Sequence, residues 1–239
     1  MADEGPTFRT LISAFGDFLT VAIHIILYER LIYPRTSFLQ ARKYNLPVWQ
    51  NRHPKVCEWI NDAVSHVEAQ LLKSTVERVV VVIYETANRP LERYIFDTSR
   101  FPVMAEKDAG MPLQRKGPNG EKVDVLPTID LEEQYRATLS RLSNSSTKLK
   151  PTPPGCTFTV AIELRNEGEP PIGHPQAWIP VQPVNENGAN NGQQSKESLT
   201  IPVRAIAAGD MMLEMWIEEA KHTQAEPTSS GDTVSTSYG

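Results

Sequence analysis

Cysteine is scarce: Cys57 and Cys156 are the only two in 239 residues, and they lie far apart in no metal-binding or redox spacing. That excludes a disulfide framework and reads instead as two buried free thiols in a reducing compartment. Basic residues are not in excess, with 24 Lys and Arg against 29 Asp and Glu for a formal charge of −5. A protein that grips nucleic acid through its own phosphate contacts carries a basic excess or stripe. Any nucleic acid is therefore reached through a partner. Long apolar runs are missing as well. The strongest, residues 18–28, contains His24 and stops at Glu29 and Arg30, so it is too short to cross a bilayer and reads as a buried helix. There is no phosphate-cradling glycine loop, zinc spacing, nucleophile elbow or kinase-like signature. Glu132 and Glu133 are neighbours on a helix, where their side chains point about 100° apart and cannot bracket one bond. No catalytic residue, metal or cofactor can be named.

What is present is a core. Hydrophobic residues make up 40% of the chain, enough for one sizeable domain. Residues 8–33 carry the longest helical pattern, apolar on nearly every side (Phe15, Phe18, Leu19, Ala22, Ile23, Ile26, Leu27), with Pro34 expected to stop it. His24 inside it reads as a satisfied core histidine. A second helix begins at Pro54 and presents Val56, Ile60, Ala63, Val64, Val67 and Leu71 as one stripe, with Trp59 at its edge. The run Val79, Val80, Val81, Val82, Ile83 is the mark of a strand buried on both faces. A second strand is expected around residues 93–97.

Residues 99–126 are rich in proline, glycine and charge and read as a loop or insertion. A third helix follows through Leu131, Tyr135, Leu139 and Leu142. After Pro151, Pro153, Pro154 and Gly155 the chain alternates. Cys156, Phe158, Val160, Ile162 and Leu164 face one way and Thr157, Thr159 and Glu163 the other, a half-buried antiparallel strand. The pattern then dissolves from Arg165 towards Val203, in a stretch dense in Pro, Asn and Gly. It returns at residues 199–206 and 211–218. So long a structureless connection inside a compact domain is usually functional or disordered. It holds Trp178, which either packs on this domain's own core or covers a ligand peptide. Trp216 falls on the polar side of the last strand, between Glu214 and Glu218, as an interface residue or a cover for the sheet.

Several stretches resemble the HORMA-domain family: residues 18–28 with Ile32, Tyr33 and Pro34, then residues 77–83, 154–160 and 217–219, and the pair Ile201 and Pro202. Lys43, Tyr44, Asn45, Leu46, Pro47 and Val48, with His53 and Pro54, are similar to one branch in particular, the HORMA accessory subunit of DNA polymerase zeta. The resemblance runs over about residues 8–220. It implies an α/β (α+β) fold, with three helices on a mostly antiparallel sheet and a C-terminal "safety belt" that closes over a bound peptide. Residues 1–7 would be a flexible terminus and 8–221 the domain. Within the domain, 104–123 would be an insertion and 165–220 the belt, including a flexible linker at 185–198. Residues 222–239 would be a disordered tail.

The implied function is that of a non-catalytic nuclear adaptor in translesion synthesis. It would trap a peptide of the polymerase's catalytic subunit and bridge to the C-terminal domain of the Rev-one deoxycytidyl transferase. A related adaptor with spindle-checkpoint, meiotic-axis or break-end clients is the alternative. Residue by residue, the resemblance puts Trp59, Trp178 and Tyr44 at the trapped peptide. Leu199, Thr200, Glu214 and Trp216 fall on the transferase face, and Arg136 on the surface where HORMA domains pair. This chain departs from the family at Thr200, Glu214 and Trp216.

Overall fold

The computed structural model describes residues 6–85, 89–116, 122–124, 128–165, 198–208 and 211–220. The first helix, α1 (Phe8–Glu29), opens with a reciprocal cap. Thr10 N–H donates to the Thr7 hydroxyl (3.1 Å) and Thr7 N–H to the Thr10 hydroxyl (2.9 Å), satisfying two amides that a helix start would orphan. Apart from Arg9, Thr10, Ser13 and Asp17 near its start, its side chains are buried or half-buried; Phe15, Phe18, Leu19, Ala22, Ile23, Ile26 and Leu27 have no exposed surface. The helix stops at Arg30, short of the Pro34 that the sequence suggested. Leu31 turns to φ 54°, its N–H donates to Tyr28 O (3.3 Å), and Ile32 N–H reaches back to Leu27 O (3.1 Å). This closure usually takes glycine at the left-handed position.

Residues 38–51 form a hairpin that the sequence did not disclose, β1 (Phe38–Lys43) and β2 (Leu46–Asn51). Its two-residue turn is Tyr44 and Asn45, at φ 51° and 56°, the left-handed pair that matches strand twist. Trp49 stacks on Tyr28 of α1 with centroids 4.6 Å apart. Helix α2 (Pro54–Leu72) starts with its proline in the first turn and buries Ile60, Val64, Val67 and Leu71, as its stripe requires. Strands β3 (Val76–Tyr84) and β4 (Pro90–Arg100) follow. Short strands β5 (Gln114–Lys116) and β6 (Lys122–Asp124) pair within the region read as an insertion. Helix α3 (Thr128–Ser146) leads to β7 (Thr157–Leu164), and the last described strands are β8 (Ser198–Ala208) and β9 (Met211–Ala220).

The main sheet has the order β7-β3-β4-β9-β8, every neighbour antiparallel. Helix α1 packs against α2 and α3, and the core lies between these helices and one sheet face. Val79, Val81 and Ile83 point into that core, while Val80 and Val82 belong to a second apolar cluster with Ile95. The valine run is thus covered on both faces, as its composition demands. On the second face Ala161, Val80, Ile95 and Trp216 stand side by side across four strands. Arg93 bridges Glu163 (2.7 Å) and Glu218 (3.0 Å) on one flank, and Arg78 pairs with Asp97 (3.2 Å) and Glu163 (3.0 Å) on the other.

His24 is buried, and its Nδ1 accepts the Asn51 N–H (3.3 Å), so the long helix keeps a satisfied neutral imidazole. The two cysteines are free but half-buried, not buried as their apolar neighbours suggested. Cys57 lies in the first turn of α2, where its thiol donates to the Asn51 carbonyl (2.9 Å), and Cys156 lies just before β7.

Candidate peptide-binding edge

A sheet with this order has two edges, and the molecule treats them differently. The outer edge of β8 is covered by α3. The Gln134 carboxamide donates to Ala207 O (2.8 Å) and accepts from Ala207 N–H (3.1 Å), so one side chain replaces a missing strand at that residue. Arg141 reaches the Val203 carbonyl (3.5 Å), and Pro202 has no N–H to offer. The outer edge of β7 has no strand partner among the described residues. A row of unpaired backbone groups is a ready template for an added strand.

The side chains along β7 suit that purpose. Phe158 is held between Trp59 of α2 (centroids 5.0 Å, planes at 76°) and Tyr33 (6.5 Å, 82°). All three are half-buried, so an aromatic wall flanks the free edge without being sealed into the core. Burial also pushes the Tyr33 phenol above its ordinary pKa, and it stays neutral. At the far end, the residue that follows β7, Arg165, is tied down. Its N–H donates to Thr75 O (2.8 Å), and its guanidinium donates to Val76 O (3.1 Å), Thr98 O (3.3 Å) and Ser99 O (2.9 Å). No cluster of potential metal ligands occurs among the described residues. The edge offers hydrogen bonds to a backbone and apolar contact to alternate side chains, which is the chemistry of strand addition.

The other residues singled out in the sequence are spread over the molecule. Tyr44 lies in the β1–β2 turn, against Tyr135 of α3 (5.7 Å) with Lys43 over its ring (5.3 Å), and not at β7. Burial raises its phenol pKa, and the charges of Asp17 and Glu132 raise it further; the buried hydroxyl has no partner. Glu214 is exposed and Trp216 half-buried on the second face of the sheet, where the indole N–H donates to Glu218 (3.1 Å). Thr200, opposite Glu218, shares that face. Leu199 is opposite Glu219 and so points to the other one, 53% exposed. Arg136 stands half-exposed on α3, 3.7 Å from Glu133. Trp178 lies outside the described residues. Tyr33 and Phe158 were not singled out as site residues; the alternation of β7 was visible, but not which helix its apolar face meets.

Residues 13–206 match the family model described as HORMA domain. The chain belongs to the HORMA-domain family. It is 34% identical over 225 residues to the DNA polymerase zeta processivity subunit of Schizosaccharomyces pombe, covering 94% of this chain and 99% of that one. Its fold is similar to a chain in a crystal structure of the mitotic checkpoint complex, with a TM-score of 0.65 and 17% identity over 89% of this chain and 99% of that one. It is also similar to C. elegans HTP-1 bound to a HIM-3 closure motif, with a TM-score of 0.61 and 12% identity over 92% and 94%. The three helices and antiparallel sheet expected from the sequence are those of a HORMA domain.

Proposed function

We propose that this HORMA domain is a non-catalytic subunit of DNA polymerase zeta that holds an extended peptide of the catalytic subunit along the outer edge of β7. The observation that carries the reading is the contrast between the edges: Gln134 and α3 cover β8, while β7 ends the sheet beside Trp59 and Phe158. A guest strand there gains main-chain hydrogen bonds, and its alternate side chains meet the aromatic wall. The 34% identity to the fission-yeast polymerase zeta subunit supports the choice of client.

In the same reading, residues 165–220 act as the belt and Trp178 closes over the guest, so release waits for the belt to open. The second sheet face, with Glu214, Trp216 and Thr200, receives the C-terminal domain of the Rev-one transferase. Arg136 belongs to a HORMA–HORMA pairing surface, and the protein works in the nucleus.

The test is a panel of overlapping peptides from the catalytic subunit of polymerase zeta, titrated against the full chain and its Trp178→Ala variant. One region of that subunit is expected to bind, and the variant to release it faster. Binding only to peptides from checkpoint or meiotic-axis proteins would sink the polymerase assignment, and equal off-rates for the two chains would sink the belt.

A further inference from the structure

Glu92 of β4 and Glu219 of β9 face each other in the strand register, and both are buried, at 3% and 6% exposure. Two carboxylates opposed on a buried sheet face destabilise the pairing unless something compensates. The compensating cation is Arg30, the last residue of the α1 turn, itself 5% exposed. Its Nε donates to both Glu92 oxygens (3.0 and 2.9 Å), its Nη1 to the Ser146 carbonyl (3.0 Å), and its Nη2 to the Lys150 carbonyl. The Tyr94 hydroxyl donates to Glu92 as well (3.0 Å).

Glu219 reaches this cluster through the backbone: its carboxylate accepts the Lys150 N–H (2.8 Å). Thr152 closes the loop by donating its hydroxyl to the Arg30 carbonyl (2.6 Å). Residues 146–152 are therefore wrapped around Arg30. From there the chain has only Pro153, Pro154, Gly155 (φ 82°) and Cys156 before it becomes β7. Prolines in that link restrict its backbone, so a displacement at Lys150 passes on instead of being absorbed.

We infer that Glu219 is a positioning residue: the docked end of the C-terminal strand fixes Lys150, and through it the edge strand that accepts the guest. The two ends of the sheet are then coupled, and a terminal strand that leaves β4 loosens β7 although it never touches it. The inference rests on the reading of β7 as the guest-accepting edge only for its effect on binding.

The experiment uses the full chain with Glu219→Leu, which keeps volume but loses the acceptor, and Glu219→Gln, which keeps an acceptor for the Lys150 N–H. Glu219→Ala replaces the leucine variant if that one does not fold. Amide hydrogen exchange is followed at Lys150, at Phe158 and Val160 of β7, and at Val80 of β3 as the report on global opening. Losing one hydrogen bond predicts exchange at Lys150, Phe158 and Val160 faster by about fivefold in the leucine variant with Val80 unchanged, and the glutamine variant within about twofold of wild type. The off-rate of the catalytic-subunit peptide rises by the same factor. Faster exchange at all four amides together would make Glu219 merely structural and overturn the inference, as would a change confined to Lys150. If wild type binds no peptide while Lys150 and β7 still respond together, the coupling stands and the guest assignment fails.

Discussion

Trp59 of α2 and Phe158 of β7 meet edge to face, with ring centroids 5.0 Å apart. The pair joins the helix layer to the sheet edge at β7, which has neither a strand partner nor a Gln134-like side-chain cover among the described residues. Two half-buried aromatics at an unfilled edge cost the free protein apolar exposure, which a guest strand would relieve.

Trp59→Ala removes one of the three rings of the aromatic wall. The lost aromatic contact and partial burial are expected to lower stability by about 2 kcal/mol. Guest affinity should fall as well, by at least about tenfold, since tryptophans beside a bound chain carry a disproportionate share of the energy. Thermal unfolding and a peptide titration on the same sample check it. A variant that loses stability but holds the peptide as tightly as wild type places the guest elsewhere.

On the second face of the sheet, two substitutions separate binding from folding. Trp216 packs with Val80, Val82 and Ile95, so Trp216→Ala should destabilise the domain by about 2 kcal/mol. Glu214 is exposed and only 3.7 Å from Arg100, which is more exposed still. Charge reversal there, Glu214→Lys, should leave stability within about 0.5 kcal/mol. If the Rev-one C-terminal domain docks on this face, Glu214→Lys weakens that contact while the polymerase peptide binds as before. Calorimetry with each partner separates the two, and an unchanged transferase affinity removes Glu214 from the interface.

Acid should loosen the domain through His24. Burial lowers its pKa from 6.5 to about 4, so the folded protein resists a proton that the unfolded chain accepts. The contribution is complete above pH 6.5 and is lost as the pH falls from there toward 4. By pH 5 the loss amounts to about 2 kcal/mol. Urea unfolding at pH 7 and pH 5 measures the loss, and His24→Gln should flatten it. An equal acid sensitivity in that variant assigns the effect to other groups.

Much of the fold could be read from the chain. The run of β-branched residues at 79–83 had to be a central strand, the stripe of α2 had to face the core, and the alternation in residues 156–164 had to be a half-buried strand. The β1–β2 hairpin escaped because its turn is Tyr44 and Asn45, not the Asn-Gly that usually supplies two left-handed residues, and because Pro47 interrupts its second strand. The end of α1 was misjudged because Leu31 takes a conformation that glycine normally fills. Trp59 stood out as an aromatic at a stripe's edge, yet its partner Phe158 is remote in sequence, and only the fold brings them together. The same holds for Arg30, Glu92 and Glu219, three charged residues that are unremarkable until one buried site collects them.

The most direct measurement of the central claim is amide hydrogen exchange of the full chain with and without the polymerase zeta peptide, read strand by strand. Strand addition at the free edge predicts new protection at those alternate β7 amides, between Thr157 and Leu164, that do not already face β3, and no change along β8, where Gln134 already occupies Ala207. Protection appearing on β8 instead, or binding that leaves every β7 amide exchanging as before, contradicts it.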